Sequence, residues 1–302
     1  MLETNNMFRE NTIGNQKLCS LADDDYGKVH AVLLDMLDDF DALCKKHRLR
    51  YMLCGGTALG AVRHKGFIPW DDDADIALPR KDYDKLAAIL REEYGDRYWL
   101  QDIYSSEVYD LTFMKLRKKG TRFVELTETI PEQAGVFVDI FPMENVPDFV
   151  LWRLLHGVVC DFLYLCCSCV RIRTKKQRFL DFLDTKKSKR MIKIKSFIGA
   201  CLGFLSMSKW CHITDRWSSL CRNESSKYVT FPSGRKHYFG EMCTRESFLP
   251  LRDTEFEGRK YPIMVHPEEY LSSLYGDYQT VLPANQRERH MVLEIDLGEN
   301  YD

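Results

Sequence analysis

The chain has no excess of charge of either sign: its 302 residues carry 43 Lys and Arg against 45 Asp and Glu, a net charge of −2. Wholesale binding to nucleic acid needs a dominant basic surface, so no nucleic-acid partner is expected. The opening MLETNNMFRENTIGNQ lacks the basic-then-apolar pattern of an export signal. There is no internal repeat, and 45% hydrophobic residues exclude a mainly disordered or collagen-like chain. Long uninterrupted apolar runs are also missing. Phe149–Val170 is the most apolar segment, yet it contains Arg153, His156 and Asp161, which makes it a poor membrane span. No second Cys or His pair stands at zinc-finger spacing from the Cys166-x-x-Cys169 motif, so packing is the expected role of both cysteines.

What is present begins with eleven cysteines. Without an export signal they are expected to be free thiols in a reducing compartment, many of them acting as small hydrophobes. The expected location is the cytoplasm, at most peripheral to the inner face of the membrane.

Apolar positions recur at three and four from Leu21 to Arg50, the pattern of an amphipathic helix with an acidic start. Tyr51–Cys54 reads as a strand entering a tight Gly55-Gly56 turn, followed by a short helix from Thr57 to Arg63. Asp73–Leu78 alternates acidic and apolar residues and reads as a strand. Arg80–Tyr94 reads as a helix with Gly95 beyond its end. Tyr98–Tyr104, Thr112–Leu116 and Val136–Phe141 are further strands, and Pro267–Tyr275 is a late helix. Between them, Arg171–Lys195 holds eleven Lys or Arg against two Asp. Buried helices of an inserted section are the favoured reading of 149–205, with a surface set against an anionic membrane or a polyanionic acceptor as the alternative.

The chemistry concentrates in Cys54–Leu78. Asp71, Asp72, Asp73 and Asp75 crowd into five residues and repel one another unless solvated or neutralised by cations. On a strand, Asp73 and Asp75 project from one face with Cα atoms roughly 6.6–6.8 Å apart. Two carboxylates so placed can converge on a hard cation such as Mg²⁺, which takes oxygen ligands together with substrate phosphates. Upstream, Gly55 and Gly56 allow backbone N–H groups to approach an anion, and Thr57 stands near a helix N-terminus that favours phosphate. A third acid, Asp139, lies in the apolar run Gly135–Pro142. It either caps the turn before Pro142 or joins Asp73 and Asp75 at a two-metal site, where it is also the candidate general base.

These residues resemble the LicD family of phosphotransferases, which also includes fukutin and the fukutin-related proteins. The resemblance rests on Gly55-Gly56-Thr57, Arg63, Gly66, the run Ile68–Asp75 and Val138–Pro142. It continues through Phe256-Glu257-Gly258, Pro267, Tyr270, Leu271, Tyr275–Tyr278, Pro283, Arg287 and His290, and is loose only over 147–230. It implies an α+β fold, a nucleotidyltransferase-like mixed sheet flanked by helices with an inserted helical section. The implied layout is a flexible tail over 1–20, a catalytic core over 21–146, a helical section over 147–224 and a C-terminal part over 225–302. It implies Mg²⁺ or Mn²⁺ as cofactor and CDP-choline, or another CDP-alcohol, as donor. Phosphocholine would pass to a hydroxyl of a cell-surface glycan such as lipopolysaccharide or teichoic acid, free or lipid-linked, with release of CMP.

Carried over by position, Asp73, Asp75 and Asp139 are the metal ligands and catalytic acids, supported by Asp71 and Asp72. Gly55, Gly56 and Thr57 form the phosphate-binding turn. Arg63, Lys65, Lys115 and Arg117 are candidates to neutralise donor phosphates, and His290 to contact donor or acceptor; an exposed edge strand is the plain alternative for Lys115 and Arg117, and a solvated C-terminal residue for His290. Trp70, Tyr275 and Tyr278 can offer aromatic faces, with packing favoured for Trp70 and a structural turn for the two tyrosines. The chain lacks the Cys/His cluster of the fukutin-related branch, which leans towards the phosphocholine branch. The same acids would also serve a nucleotidyltransferase using CTP or ATP, or a non-catalytic metal-binding protein docked on a membrane.

Overall fold

The computed structural model describes residues 18–298 apart from 20, 22, 184 and 288. Most of the expected tail over 1–20 therefore lies outside the described residues; Cys19 is tied down, its N–H donating to the Val292 carbonyl at 2.8 Å.

Helix α1, Asp23–His47, buries Val29, Leu33, Met36, Leu37, Phe40 and Cys44 along one stripe and ends on basic residues, of which the cations Lys45 and Lys46 suit its C-terminal dipole. The chain then forms β1, Met52–Leu53, α2, Gly55–His64, β2, Ala74–Pro79, and α3, Arg80–Tyr94. After β3, Tyr98–Gln101, β4, Met114–Lys118, and β5, Arg122–Glu125, comes the long β6, Phe137–Val146. The main sheet runs β1-β2-β6-β4-β3, with β2 and β6 parallel and the other neighbours antiparallel. β1, β2 and β6 are buried along nearly their whole length, so β2 and β6 read as apolar runs broken only at functional positions.

Helices α4, Val150–Thr174, α5, Lys176–Phe182, α6, Lys186–Cys201, and α7, Met207–Ser218, make up the middle section. Strands β7, Tyr228–Thr230, and β8, Cys243–Thr244, extend the sheet beyond the C-terminal end of β6. The hairpin β9, Arg252–Phe256, and β10, Arg259–Ile263, precedes α8, Pro267–Tyr275, and β11, Val292–Asp296, returns to pair with β5. The architecture is α+β with a mixed sheet flanked by helices, as expected.

Three local differences matter. α2 starts at Gly55, so Gly55-Gly56 is the first turn of a helix rather than a turn before one. The strand from Tyr98 stops at Gln101 because Asp102 turns the chain, accepting the N–H groups of Tyr104 and Ser105 at 2.7 and 2.8 Å. β5 is an additional strand without a periodic signal: it is four residues long and its partner, β11, lies at the far end of the sequence.

The middle section packs against the rest of the protein through further apolar clusters, one joining Leu163, Cys166, Cys167, Val170 and Trp210 to Ile103 and Tyr109. All eleven cysteines are free, and eight of them are buried. A buried ionic triad ties this section to the core: Arg80, opening α3, donates through Nε to Glu144 of β6 at 2.9 Å and through a terminal nitrogen to Asp215 of α7 at 2.9 Å. α4 is long and apolar enough to cross a bilayer by length and composition. One of its faces is nevertheless built into the protein, with His156 held between the Tyr238 hydroxyl and the Trp217 carbonyl.

Candidate active site

The sheet register assembles the site. Asp75 on β2 stands beside Asp139 on β6, Asp139 beside Lys115 on β4, and Lys115 beside Gln101 on β3. Directly paired positions project from the same face of a sheet, so two acids and a lysine form one row across three strands. Asp73, two residues before Asp75, joins them, and ligand oxygens of Asp73, Asp75 and Asp139 lie within 4.8 Å of one another. All three line a cavity of about 1140 Å³ between the sheet, α4, α8 and the loop carrying His290.

The Gly-Gly-Thr segment is wrapped around Asp75. The Gly56 N–H donates to Asp75 Oδ2 at 2.9 Å, and the Asp75 N–H donates to Thr57 Oγ1 at 2.8 Å. Gly55 has φ +50°, and a Cβ there would fall 2.3 Å from Asp75 Oδ2, so only glycine permits this approach. Its N–H donates to the Tyr270 hydroxyl at 3.2 Å. The turn expected to cradle phosphate thus holds a carboxylate: the positive end of α2 stabilises Asp75.

The electrostatics are those of a cluster short of positive charge. Burial pushes the Asp73 carboxyl up to about 7, with Asp72 and Asp139 adding to the rise against His290 and Lys115. Burial, then Asp73 and Asp139, raise Asp75 well above the carboxylate range. Burial also raises Asp139, against the pull of Lys115. Its Oδ1 is buried without a hydrogen bond, with Lys115 Nζ 3.2 Å away as an ion pair. A divalent cation fits this donor set: three hard carboxylates, mutually repelling, one of them with an orphaned oxygen, facing a cavity.

His290 is drawn into the cluster rather than solvated. Its Nδ1 pairs with Asp72 Oδ1 at 2.7 Å and its N–H donates to Asp72 Oδ2 at 3.2 Å, while Nε2 lies 3.9 Å from both Asp73 and Glu125. Burial opposes its charged form, but Asp72 and Asp73 carry the imidazole well above its ordinary value. Asp72 therefore acts as the holder of His290.

Lys115 lines the cavity and is ion-paired to Glu125 at 2.9 Å as well as to Asp139. Arg117 does not face the cavity and is not on an edge: β4 lies between β6 and β3, and the buried guanidinium binds Gln101, the Gly135 carbonyl, Glu125 and Glu128. Arg63 is also turned away, donating to the carbonyls of Tyr278 and Thr280 at 2.9 and 3.3 Å. Lys65 ends α2 in the left-handed conformation and pairs with Glu255 at 3.5 Å. The guanidinium of Arg287 lies 3.8 Å over the Trp70 ring, outside the cavity wall, whereas Tyr275 lines the cavity and Tyr278 does not.

Sequence reasoning missed Glu125, which binds Lys115 and Arg117 and is held below the usual carboxylate range by them against burial. Its signal was the one that revealed Asp139, an acid set between apolar residues, Val124 and Leu126. The fold also brings further cations to the cavity: Arg171 and Lys195, the two ends of the basic run on α4 and α6, and, without any sequence signal, Arg235 and Lys236 before α8 and Arg289.

Residues 48–156, which contain the whole acidic triad, match the family described as LicD/FKTN/FKRP, nucleotidyltransferase domain. That stretch, about a third of the chain, is similar to the LicD-type domain. Over 274 residues it is 25% identical to the lipopolysaccharide cholinephosphotransferase LicD of Haemophilus influenzae, a match covering 87% of this chain and 94% of that protein. Shorter matches join it to uncharacterized proteins of Rickettsia prowazekii, 42% identical over 64 residues (21% of this chain, 24% of that one), and Rickettsia typhi, 44% over 58 residues (19% of each). The LicD-family match begins at the end of α1 and stops early in α4, so it takes in the sheet row and leaves out most of the helical wall of the cavity.

Proposed function

We propose that this protein is a metal-dependent phosphotransferase that moves phosphocholine from CDP-choline to a hydroxyl of a lipopolysaccharide-type glycan and releases CMP. The observation that carries the reading is the convergence of Asp73, Asp75 and Asp139 within 4.8 Å on the wall of one large cavity. A bound divalent cation would neutralise charge on the phosphoryl group and on the attacking and leaving oxygens. Gly56 and Thr57 fix Asp75 for that role.

Asp139 accepts the proton of the acceptor hydroxyl as its oxygen attacks the choline-bearing phosphorus; the bond from that phosphorus to the bridging oxygen breaks, and CMP departs with the electron pair. Lys115, beside Asp139, and the charged His290, beside Asp73, offset the negative charge of the donor diphosphate. Phe231, Tyr270 and Tyr275 line the same cavity and supply the aromatic surface a quaternary ammonium favours. The choice of choline over another alcohol draws on the Haemophilus relative's name; the metal and the phosphoryl chemistry draw on the site.

Calorimetric titration with CDP-choline, in Mg²⁺ and in EDTA, tests the donor, with CDP-ribitol, CDP-glycerol, CTP and ATP alongside. Metal-dependent binding that prefers CDP-choline is expected. Binding of CTP or ATP with release of pyrophosphate would move the assignment to nucleotidyl transfer.

A further inference from the structure

α4 has an outward face that the protein leaves uncovered. Leu151 is 68% exposed, Leu155 54%, Val158 59%, Phe162 56% and Leu165 37%, with Leu154 beside them. Their spacing of three and four places them on one stripe, and no charged residue interrupts it. Single exposed apolar residues are ordinary on a soluble surface, but a row of six large ones is an interaction site.

Seven residues beyond Phe162, on the same face of α4, stands Cys169, and there α6 lies on top of the stripe. Gly199 of α6 is so close that a Cβ would meet the Cys169 carbonyl at 2.3 Å. Since α6 sits on the stripe side, its opposite face points the way the stripe points. That face carries Lys186, Arg190 and Lys193, then Ile194 and Phe197, all exposed, while Ile192, Lys195 and Gly199 are buried. The outward surface is thus apolar along α4 and basic, then apolar, along α6. The charge is local: Lys186, Arg190 and Lys193 stand together on this face, in a chain whose net charge is −2. An apolar stripe beside clustered cations matches the surface of an anionic bilayer, with side chains entering the acyl boundary and ammonium groups meeting headgroups. The inner face of α4 is packed into the protein around His156, so the outward face is the one open to a membrane.

The stripe also runs into the site. Phe162 and Leu165 belong both to it and to the wall of the cavity that holds Asp73, Asp75 and Asp139. We propose that this face docks the protein on an anionic membrane with the cavity mouth at headgroup level, so that an acceptor anchored in the bilayer reaches the triad without leaving it. The docking stands on the surface alone; the statement about the acceptor rests on the phosphotransferase reading.

Vesicle flotation of the full chain tests it, with phosphatidylcholine vesicles and vesicles containing roughly a third phosphatidylglycerol. The protein is expected to float with the anionic vesicles, and added salt should release it as screening shortens to about 3 Å near 1 M. Leu151→Glu/Leu155→Glu/Val158→Glu changes only exposed side chains, should melt like the parent, and should lower partitioning by about tenfold or more. Lys186→Glu/Arg190→Glu/Lys193→Glu should weaken it by about fivefold per charge. The proposal is overturned if the parent does not float with anionic vesicles at low salt, or if the triple Leu/Val variant floats equally well. It is overturned equally if the parent is a dimer that this variant splits, since the stripe would then be an interface between copies. CDP-choline titration of the same variants separates the two readings: docking variants should bind it as the parent does, and a parent that floats but binds no CDP-choline would sink the donor assignment while leaving the docking intact.

Discussion

The backbone N–H of Gly56 donates to Oδ2 of Asp75 at 2.9 Å. The contact couples the two halves of the Cys54–Leu78 segment: the positive end of α2 is directed at the Asp75 carboxylate, and the Thr57 hydroxyl receives the N–H of the same aspartate. Glycine, threonine and aspartate are one device here. The turn aims Asp75 at Asp73 and Asp139, and the parallel pairing of β2 and β6 supplies the third acid.

Gly55→Ala tests that device. The new methyl would have to displace the Asp75 carboxylate, and φ +50° costs an L-residue about 1–2 kcal/mol. Activity is expected to fall by about a hundredfold or more, as befits a displaced transition-state contact. Gly258→Ala is the control: its φ is +71°, but no atom lies within 4 Å of the added Cβ, so it should lose about 1 kcal/mol and keep its activity. Equal activity losses in the two variants would show that backbone strain, not Asp75, is what matters.

Asp73→Asn should separate stability from function. Removing one of the mutually repelling buried acids is expected to raise Tm in EDTA by a few degrees, since burial and its neighbours hold Asp73 up to about 7. Saturating Mg²⁺ should stabilise the parent by about 2–3 kcal/mol at a hundredfold excess over Kd, and the variant much less. Activity should drop by roughly a thousandfold. Thermal melts with and without Mg²⁺ decide it, and an unchanged metal shift in Asp73→Asn would remove Asp73 from the ligand set.

Much of this site was legible before the fold was known. Acid alternating with apolar residues marks a strand that carries chemistry on one face, and Asp73, Asp75 and Asp139 all showed it. Glu125 showed it too, but in a strand of four residues whose partner β11 is remote, so the periodic signal was too short to register. The cations were legible as charges and not as contacts. Lys115 and Arg117 stand two apart on one strand, yet Arg117 is consumed by Gln101, Glu125 and Glu128, partners that only tertiary pairing brings near. His290 owes its place to a loop from the end of the chain, and no local pattern specifies where such a loop lands.

Arg80→Met tests the join between sheet and helical section. Arg80 is buried between Glu144 and Asp215, and losing it leaves two acids without their shared cation. Removing one partner of a buried ionic group costs about 3–5 kcal/mol, here a fall in Tm of roughly 10 °C. Adding Glu144→Gln should recover part of that loss, because the unpaired charge rather than the missing contact is the larger cost. Additive losses in the double variant would contradict this account.

Glu241 gives a pH dependence whose sign follows from burial. Its carboxyl lies in the cavity wall, accepts the Lys236 N–H at 2.8 Å, and is pushed by burial up to about 7 from an ordinary 4.5. The folded state therefore binds this proton more tightly than the unfolded one. Below pH 4.5 both states are protonated and the group contributes no pH dependence; between 4.5 and 7 the unfolded state has released the proton while the folded state keeps it, so stability falls as pH rises, and above 7 the full cost is present. Glu241→Gln keeps an oxygen for the Lys236 N–H and never ionises. Relative to the parent it should gain on the order of 2–3 kcal/mol between pH 4.5 and pH 8. Denaturant midpoints of both proteins across that range measure the difference directly, cancelling every other titrating group, and a difference that stays flat with pH would mean that Glu241 is ionised at no cost in the folded protein.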